Sequence, residues 1–216
     1  LYVAKKTGQN PDDYFDMAIV GIVVSVICAR LYYVIFSWEE YKDDLLSILN
    51  TREGGLAIYG GVIGAMLTML YFKRKKKIPF GLLGDTACCG IVLGHIIGRW
   101  GNFFNEEAHG MQTDLPWAQI IDGVGYHPTF LYESIWCFCL FWFLLWFDDH
   151  KRSFDGQMIS LYMMLYSVER FFVEGLRTDS LMVGPLRQAQ LISLSLIAAG
   201  IALYVFFKKR TGRYLP

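Results

Sequence analysis

The sequence predicts an all-α fold, a polytopic transmembrane helical bundle, and three observations carry that prediction. Apolar residues, 54% of the 216, gather in long blocks rather than spreading evenly. A helix rising about 1.5 Å per residue needs roughly 20 such residues to cross a hydrocarbon core about 30 Å thick. Basic residues fall on alternate connections between the blocks. Finally, stretches such as Ile19–Ala29 and Trp136–Phe147 offer almost no polar face, which argues against a soluble helical core.

Six stretches qualify as spans, at approximately 14–36, 54–72, 82–104, 127–147, 155–174 and 188–207. The first contains the apolar run 19–29 and then Arg30. The second carries Gly60, Gly61 and Gly64 and is closed by the basic run Lys73–Lys77. In the third, Gly90, Gly94 and Gly98 repeat every four residues, a spacing that lets helix backbones approach closely in lipid. The fourth has Glu133 near its start, the fifth holds Tyr166, Arg170 and Glu174, and the sixth ends at Lys208, Lys209 and Arg210. Before the first span the chain opens with LYVAKK, which reads as the tail of a further, preceding helix. One integral membrane domain, 1–216, accounts for the whole chain.

Thirteen basic residues (Lys5, Lys6, the 73–77 run, Lys151, Arg152, Lys208, Lys209, Arg210 and Arg213) lie on one set of connections. Four (Lys42, Arg52, Arg177 and Arg187) lie on the other set. This positive-inside asymmetry puts the C-terminus in the cytoplasm. The basic run follows a span directly, so it marks topology and not a nucleic-acid surface. The two long outward connections, about 37–53 and 105–126, are acidic on balance, and Tyr41–Leu49 in the first is an amphipathic run suited to the membrane surface. Cys28, Cys88, Cys89, Cys137 and Cys139 all lie inside spans without ligand spacing, and neither they nor the histidines form a metal pattern.

Three arginines, Arg30, Arg99 and Arg170, sit inside three different spans. Each costs about 2.5–3.5 kcal/mol at a helix centre on insertion scales, so such residues face a partner, a cavity or an anionic ligand. With the topology above, all three fall in the outer half of the bilayer, and a guanidinium fork suits phosphate. Asn102, Glu107, Tyr59 and Glu133 share that depth. Tyr166, Arg170 and Glu174, spaced by four, form one polar stripe on an apolar helix. The constellation suits an anionic headgroup at the outer interface, with carboxylates to hold guanidiniums or move protons.

The stretch GRWGNFFNEEAHG, 98–110, fills every fixed position of the pattern G-R-x-G-N-[FL]-x-N-x-E-x-x-G, and in this it resembles the prolipoprotein diacylglyceryl transferases. Similar segments follow the family's order: ARLYYV (29–34), GGLAIYGGVIG (54–64), Asp85, DLPW (114–117), HPTFLYE (127–133) and YSVERFFVE (166–174). The likeness runs from Asn10 to Phe207 and lacks the family's first span.

The resemblance implies transfer of the diacylglyceryl group of phosphatidylglycerol to the lipobox cysteine of a prolipoprotein signal peptide. A thioether forms and glycerol phosphate leaves, in the bacterial plasma membrane, with the active site toward the outer leaflet. No metal or other cofactor is implied. Carried onto this sequence, Arg99, Arg170, Tyr166, Glu107 and Tyr59 would be catalytic. Arg99, Asn102, Gly110, Arg30, Glu133 and Glu174 would hold phosphatidylglycerol. The sequence departs from the family at one place: many members have a histidine, proposed as the base, where this chain has Tyr59. A phenol of ordinary pKa near 10 is a poor base at neutral pH, so Tyr59 is read as orienting and the base stays open among carboxylates, water and His95, His109 or His127. A lipid transferase using a CDP-activated substrate would show a cytoplasmic aspartate cluster, and a transporter would show repeats or broken helices; the sequence offers neither.

Overall fold

The computed structural model describes residues 1–51, 54–178 and 181–210; Arg52 and Arg213 of the charge count lie outside them. The helices are α1 Tyr2–Lys6, α2 Pro11–Phe36, α3 Trp38–Tyr41, α4 Ile58–Lys76, α5 Phe80–Phe104, α6 Thr129–His150, α7 Gln157–Leu176 and α8 Gln188–Arg210, with a 3₁₀ turn at Leu45–Leu49. The six predicted stretches are thus helical, and the chain is an all-α polytopic membrane protein.

The count of six spans needs correction. Among the described residues, α2, α5, α6 and α8 are long and apolar enough to cross a membrane, four in all. The other two helices fail for a physical reason: α4 devotes its last turn to Lys73–Lys76, and α7 carries Glu169, Arg170 and Glu174. Two small antiparallel hairpins also interrupt the helical pattern. β1 Gln119–Ile121 pairs with β2 Val124–Tyr126, and β3 Met182–Val183 pairs with β4 Leu186–Arg187. The first turns through Asp122 and Gly123, both at positive φ (49° and 81°), the conformation that an Asp-Gly pair favours in a two-residue hairpin.

Local chemistry explains the helix ends. The Asn10 side chain accepts from the Asp12 N–H at 3.1 Å, Pro11 pre-sets the first turn, and Asp12 and Asp13 sit where the helix dipole favours negative charge. In α4 the basic residues of the last turn oppose the partial negative charge of its carbonyls, and Lys77 leaves in the left-handed region ahead of Pro79.

The chain forms two compact units, one up to Leu83 and one from Gly84 onward. In the first, α2 packs on α4 at very short range. A Cβ at Gly60 would stand 2.7 Å from the Ala29 Cα, and one at Gly64 would stand 2.7 Å from the Ser25 Cα. These glycines set the helix separation, as their spacing predicts. Asp13 and Lys76 join the same two helices by an ion pair of 2.6 Å, and Ala4, Tyr14 and Leu83 make a small buried cluster.

In the second unit α7 packs on α6 and on α8. Gly200 of α8 allows the latter approach, since a Cβ there would lie 2.8 Å from Met164. The close contact expected at Gly90, Gly94 and Gly98 is not found: among the described residues no atom lies within 4 Å of where their Cβ would stand. A four-residue glycine repeat permits close approach without requiring it.

The end of this unit near the α6–α7 connection is clamped by charge. The Arg152 side chain, 1% exposed, faces Asp85 at 3.0 Å, Asp148 at 2.9 Å and Asp155 at 3.0 Å. Asp85 also accepts from the N–H groups of Gly156 (2.7 Å) and Ile159 (2.9 Å), so a side chain of α5 caps the start of α7. Gly156 at φ +91° has no room for a Cβ against the Phe207 ring, which makes glycine obligatory at this turn.

Candidate active site

Arg99 lies in the second half of α5, Glu133 in the first turns of α6, and Tyr166, Arg170 and Glu174 on one face of α7. The three helices bring these five residues together. Glu133 is the centre. Only 1% exposed, it forms an ion pair through Oε2 with Arg99 Nε at 2.7 Å and accepts on Oε1 from Arg170 Nη1 at 2.9 Å, so one carboxylate bridges two guanidiniums. Arg170 Nη2 then reaches Glu174 Oε2 at 2.6 Å, and Arg99 Nη2 donates to the Tyr166 hydroxyl at 3.0 Å. A second partner thus orients each cation. The Glu174 main-chain carbonyl accepts from Arg187, which ties the end of α7 to β4.

The arrangement leaves donors over. Arg99 Nη1 and Arg170 Nε carry no hydrogen bond among the described residues, and each arginine side chain keeps 19% of its surface exposed. A pair of fixed, partly exposed guanidiniums with spare N–H groups is a receptor for a phosphate or carboxylate.

The other predicted residues are placed as follows. Asn102 and Glu107 sit where α5 runs out into its loop. The Asn102 carbonyl accepts from the Glu107 N–H at 3.0 Å, and the Glu107 carboxylate accepts from the Asn105 amide at 3.2 Å and is exposed. Gly110 acts through its backbone: its N–H donates to the His127 carbonyl at 2.9 Å, it bridges to Arg177, and a Cβ would stand 2.6 Å from His127. The signature loop is therefore pinned against the start of α6 and the end of α7.

Arg30 and Tyr59 belong to the first unit. All five N–H groups of Arg30 are spent on main-chain carbonyls: Nε on Ile48 (2.8 Å), Nη1 on Gly54 (3.1 Å) and Gly55 (2.9 Å), Nη2 on Ser47 (2.8 Å) and Asn50 (2.8 Å). Its guanidinium also lies 5.0 Å from the Tyr41 ring centre. No donor remains for a phosphate, so this arginine holds the segments 47–50 and 54–55, and a Cβ at Gly55 would collide with it. Tyr59 is 48% exposed at the start of α4, its ring 6.1 Å from that of Tyr32.

Sequence reasoning passed over two further residues here. Tyr162 extends the Tyr166–Arg170–Glu174 stripe by one turn and meets His95 Nε2 through its hydroxyl at 3.1 Å, while the His95 ring packs 4.6 Å from that of Tyr166. The four-residue spacing was signal enough for Tyr162. Glu169, next to Arg170 in sequence, is buried, and neither of its carboxylate oxygens is hydrogen-bonded among the described residues. His109 and His127 are engaged in loop contacts, with the Gly110 carbonyl and the Tyr132 hydroxyl respectively, each at 3.2 Å.

Long apolar helices around a paired-arginine, carboxylate-bridged centre define a polytopic membrane protein whose charged centre has the chemistry to receive an anion. The family is fixed by comparison of the whole chain: residues 1–206 match the family model described as prolipoprotein diacylglyceryl transferase. The chain belongs to that family. It is 51% identical over 207 residues to a protein of Clostridioides difficile (strain 630) named phosphatidylglycerol–prolipoprotein diacylglyceryl transferase, covering 96% of this chain and 83% of that protein. Proteins of the same name from Finegoldia magna (46% identity; 96% and 84% covered) and Bacillus cytotoxicus (43%; 99% and 84%) are similar over the same extent.

Proposed function

We propose that this protein transfers the diacylglyceryl group of phosphatidylglycerol to the thiol of the lipobox cysteine in a prolipoprotein signal peptide, the first step of bacterial lipoprotein maturation. The observation that carries the site assignment is the bridged pair: Glu133 fixes Arg99 and Arg170 side by side while leaving N–H groups of both unspent. The phosphate of phosphatidylglycerol sits on those groups. Thiolate sulfur attacks the glycerol carbon that carries the phosphate ester, the C–O bond breaks, and glycerol phosphate leaves with the electron pair. Charge on the departing phosphate is stabilised by donors already oriented, so little reorganisation is needed as it develops. Tyr166 and Glu174 keep the two cations in place.

Asn102 and Glu107, on the adjoining loop, contact the glycerol headgroup, and Gly110 shapes that loop. Arg30 contributes by holding its own loop and not by binding lipid. The protein resides in the plasma membrane with the C-terminus cytoplasmic, and the site works at the outer leaflet, a placement supported by the thirteen-to-four division of basic residues.

The test is lipidation in vesicles containing phosphatidylglycerol, with a lipobox peptide read by mass spectrometry, wild type beside Arg99→Ala. A diacylglyceryl mass on the cysteine that disappears in the variant supports the reading. Failure of folded wild type to modify the thiol overturns it.

A further inference from the structure

Glu169 has no role in the scheme above, yet it lies against the same cluster. It is 5% exposed, and neither Oε1 nor Oε2 has a hydrogen-bond partner among the described residues. On α7 it follows Tyr166 by three residues and precedes Val173 by four, so it shares a face with Tyr166 beside the one that carries Arg170 and Glu174. The ionisable groups that act on it come from three helices: Arg99 on α5, Glu133 and Cys137 on α6, and Arg170 on α7 itself. An enclosed carboxyl without a donor is a costly thing to keep, since burying an unpaired polar group is unfavourable.

Charge counting sharpens the point. Glu133 and Glu174 already match the guanidiniums of Arg99 and Arg170. Glu169 is a third carboxyl among the same charges, committed to neither cation by an ion pair or hydrogen bond among the described residues, and so can take up a proton and give it back. The transferase reaction has one proton to move, that of the thiol, and the phenol at position 59 is poorly suited to take it.

We propose that Glu169 is the base of the reaction, the group that receives the proton of the incoming lipobox thiol. This deepens the transferase reading and rests on it. The carboxylate takes the proton from sulfur. The S–C bond forms at the glycerol carbon as its C–O bond to phosphate breaks, and the electron pair leaves on the phosphate oxygen. Glu169 then gives its proton to the departing glycerol phosphate and is restored. Thiol plus phosphatidylglycerol become thioether plus glycerol phosphate, and no further reactant is consumed. The position suits the task because the proton acceptor stands beside the cations that hold the leaving phosphate, so attack and departure are served from one cluster.

The experiment uses Glu169→Gln, which keeps the shape, and Glu169→Asp, which keeps the carboxyl, in phosphatidylglycerol vesicles. Each is assayed with two lipobox peptides, one bearing cysteine and one selenocysteine, whose selenol is already ionised at neutral pH. Thermal unfolding of each variant reports folding. With the cysteine peptide, Glu169→Gln is expected to turn over at least about a hundredfold more slowly than wild type, a loss within the range general-base removal produces, while KM for lipid stays within about threefold. With the selenocysteine peptide its rate stays within about fivefold of wild type. Glu169→Asp retains measurable cysteine activity, and Arg99→Ala is rescued by neither peptide. Glu169→Gln that keeps its cysteine activity within about threefold, or that loses both peptides equally while folded, overturns the proposal. Wild type inactive on both peptides overturns the transferase reading itself, a distinct result.

Discussion

Glu133→Gln is the most informative single change, because the side chain keeps its size and loses only its charge. Two guanidiniums contact the carboxylate at 2.7 and 2.9 Å. With charge centres about 4 Å apart and an effective dielectric near 20, each attraction is about 4 kcal/mol before desolvation is charged against it. Arg170 retains Glu174 in the variant, whereas Arg99 retains only the neutral Tyr166 hydroxyl, so Arg99 bears most of the loss. Removing one partner of a buried pair costs about 3–5 kcal/mol, which for a chain of this length lowers Tm by on the order of 10 °C. The assay is thermal unfolding in detergent of Glu133→Gln, Arg99→Gln and the double variant, with lipidation rates measured in parallel. Coupling of about 1–3 kcal/mol between the two positions is expected, together with a rate loss of about 100-fold or more in Glu133→Gln as both guanidiniums lose their orientation. Additive stability changes, within about 0.5 kcal/mol, refute the claim that this carboxylate organises the site.

Three further outcomes follow from the packing. Asp85→Ala removes the salt bridge to Arg152 and two caps on α7, and is expected to cost about 3–5 kcal/mol; unfolding scans check this, and an unchanged Tm removes the clamp from the account. Gly60→Ala is expected to lower Tm by several degrees, because its Cβ would press on Ala29, whereas Gly61→Ala, with nothing closer than 4.0 Å, stays near wild type; equal effects at the two positions contradict the α2–α4 contact. Arg30→Lys replaces five fixed N–H groups by three on a flexible stem, losing at least two carbonyl contacts at about 0.5–1.5 kcal/mol each, and faster limited proteolysis within 45–55 is the readout; unchanged cleavage sinks the assignment.

How much of this was legible in the sequence depends on whether a residue's partner is near it in the chain. The helices were readable because apolar length is a local property, and so was the Tyr166–Arg170–Glu174 stripe, since spacing by four fixes a shared face. The two charged helices, α4 and α7, were read as spans from the length of their apolar stretches, although the charges they carry leave them short of the composition a span needs. Arg30 looked like Arg99 and Arg170 because the cost of an intramembrane arginine says that a partner exists and nothing about which. Its partners are five main-chain carbonyls, and main-chain carbonyls leave no mark in composition. Glu133 was visible only as a carboxylate at the right depth; that it binds two arginines at once is a fact of three helices meeting. The Asp122-Gly123 turn was a readable hairpin signal that the helical pattern overshadowed.

The second unit carries two ionic clusters, one at each end of α5, α6 and α7, and their difference separates scaffold from chemistry. Around Arg152 the side chains are closed: the guanidinium is 1% exposed, and Asp85 spends both oxygens on backbone N–H groups as well. Nothing can enter there without breaking bonds that cap a helix. Around Glu133 the carboxylate is as deeply buried, but each arginine keeps 19% of its side chain accessible and N–H groups in reserve. A buried anion holding two half-open cations is a poor way to gain stability alone, since both guanidiniums are only partly satisfied. It is a good way to fix two donors for a third, transient anion. Substitutions at Asp85 should therefore lower Tm while KM for phosphatidylglycerol holds within about twofold in the folded fraction. Arg170→Lys should raise that KM or slow turnover with Tm changed by only a few degrees, because lysine keeps the charge beside Glu133 and Glu174 but not the planar fork. If both variants moved Tm and KM in parallel, the division between a closed clamp and an open receptor would fail.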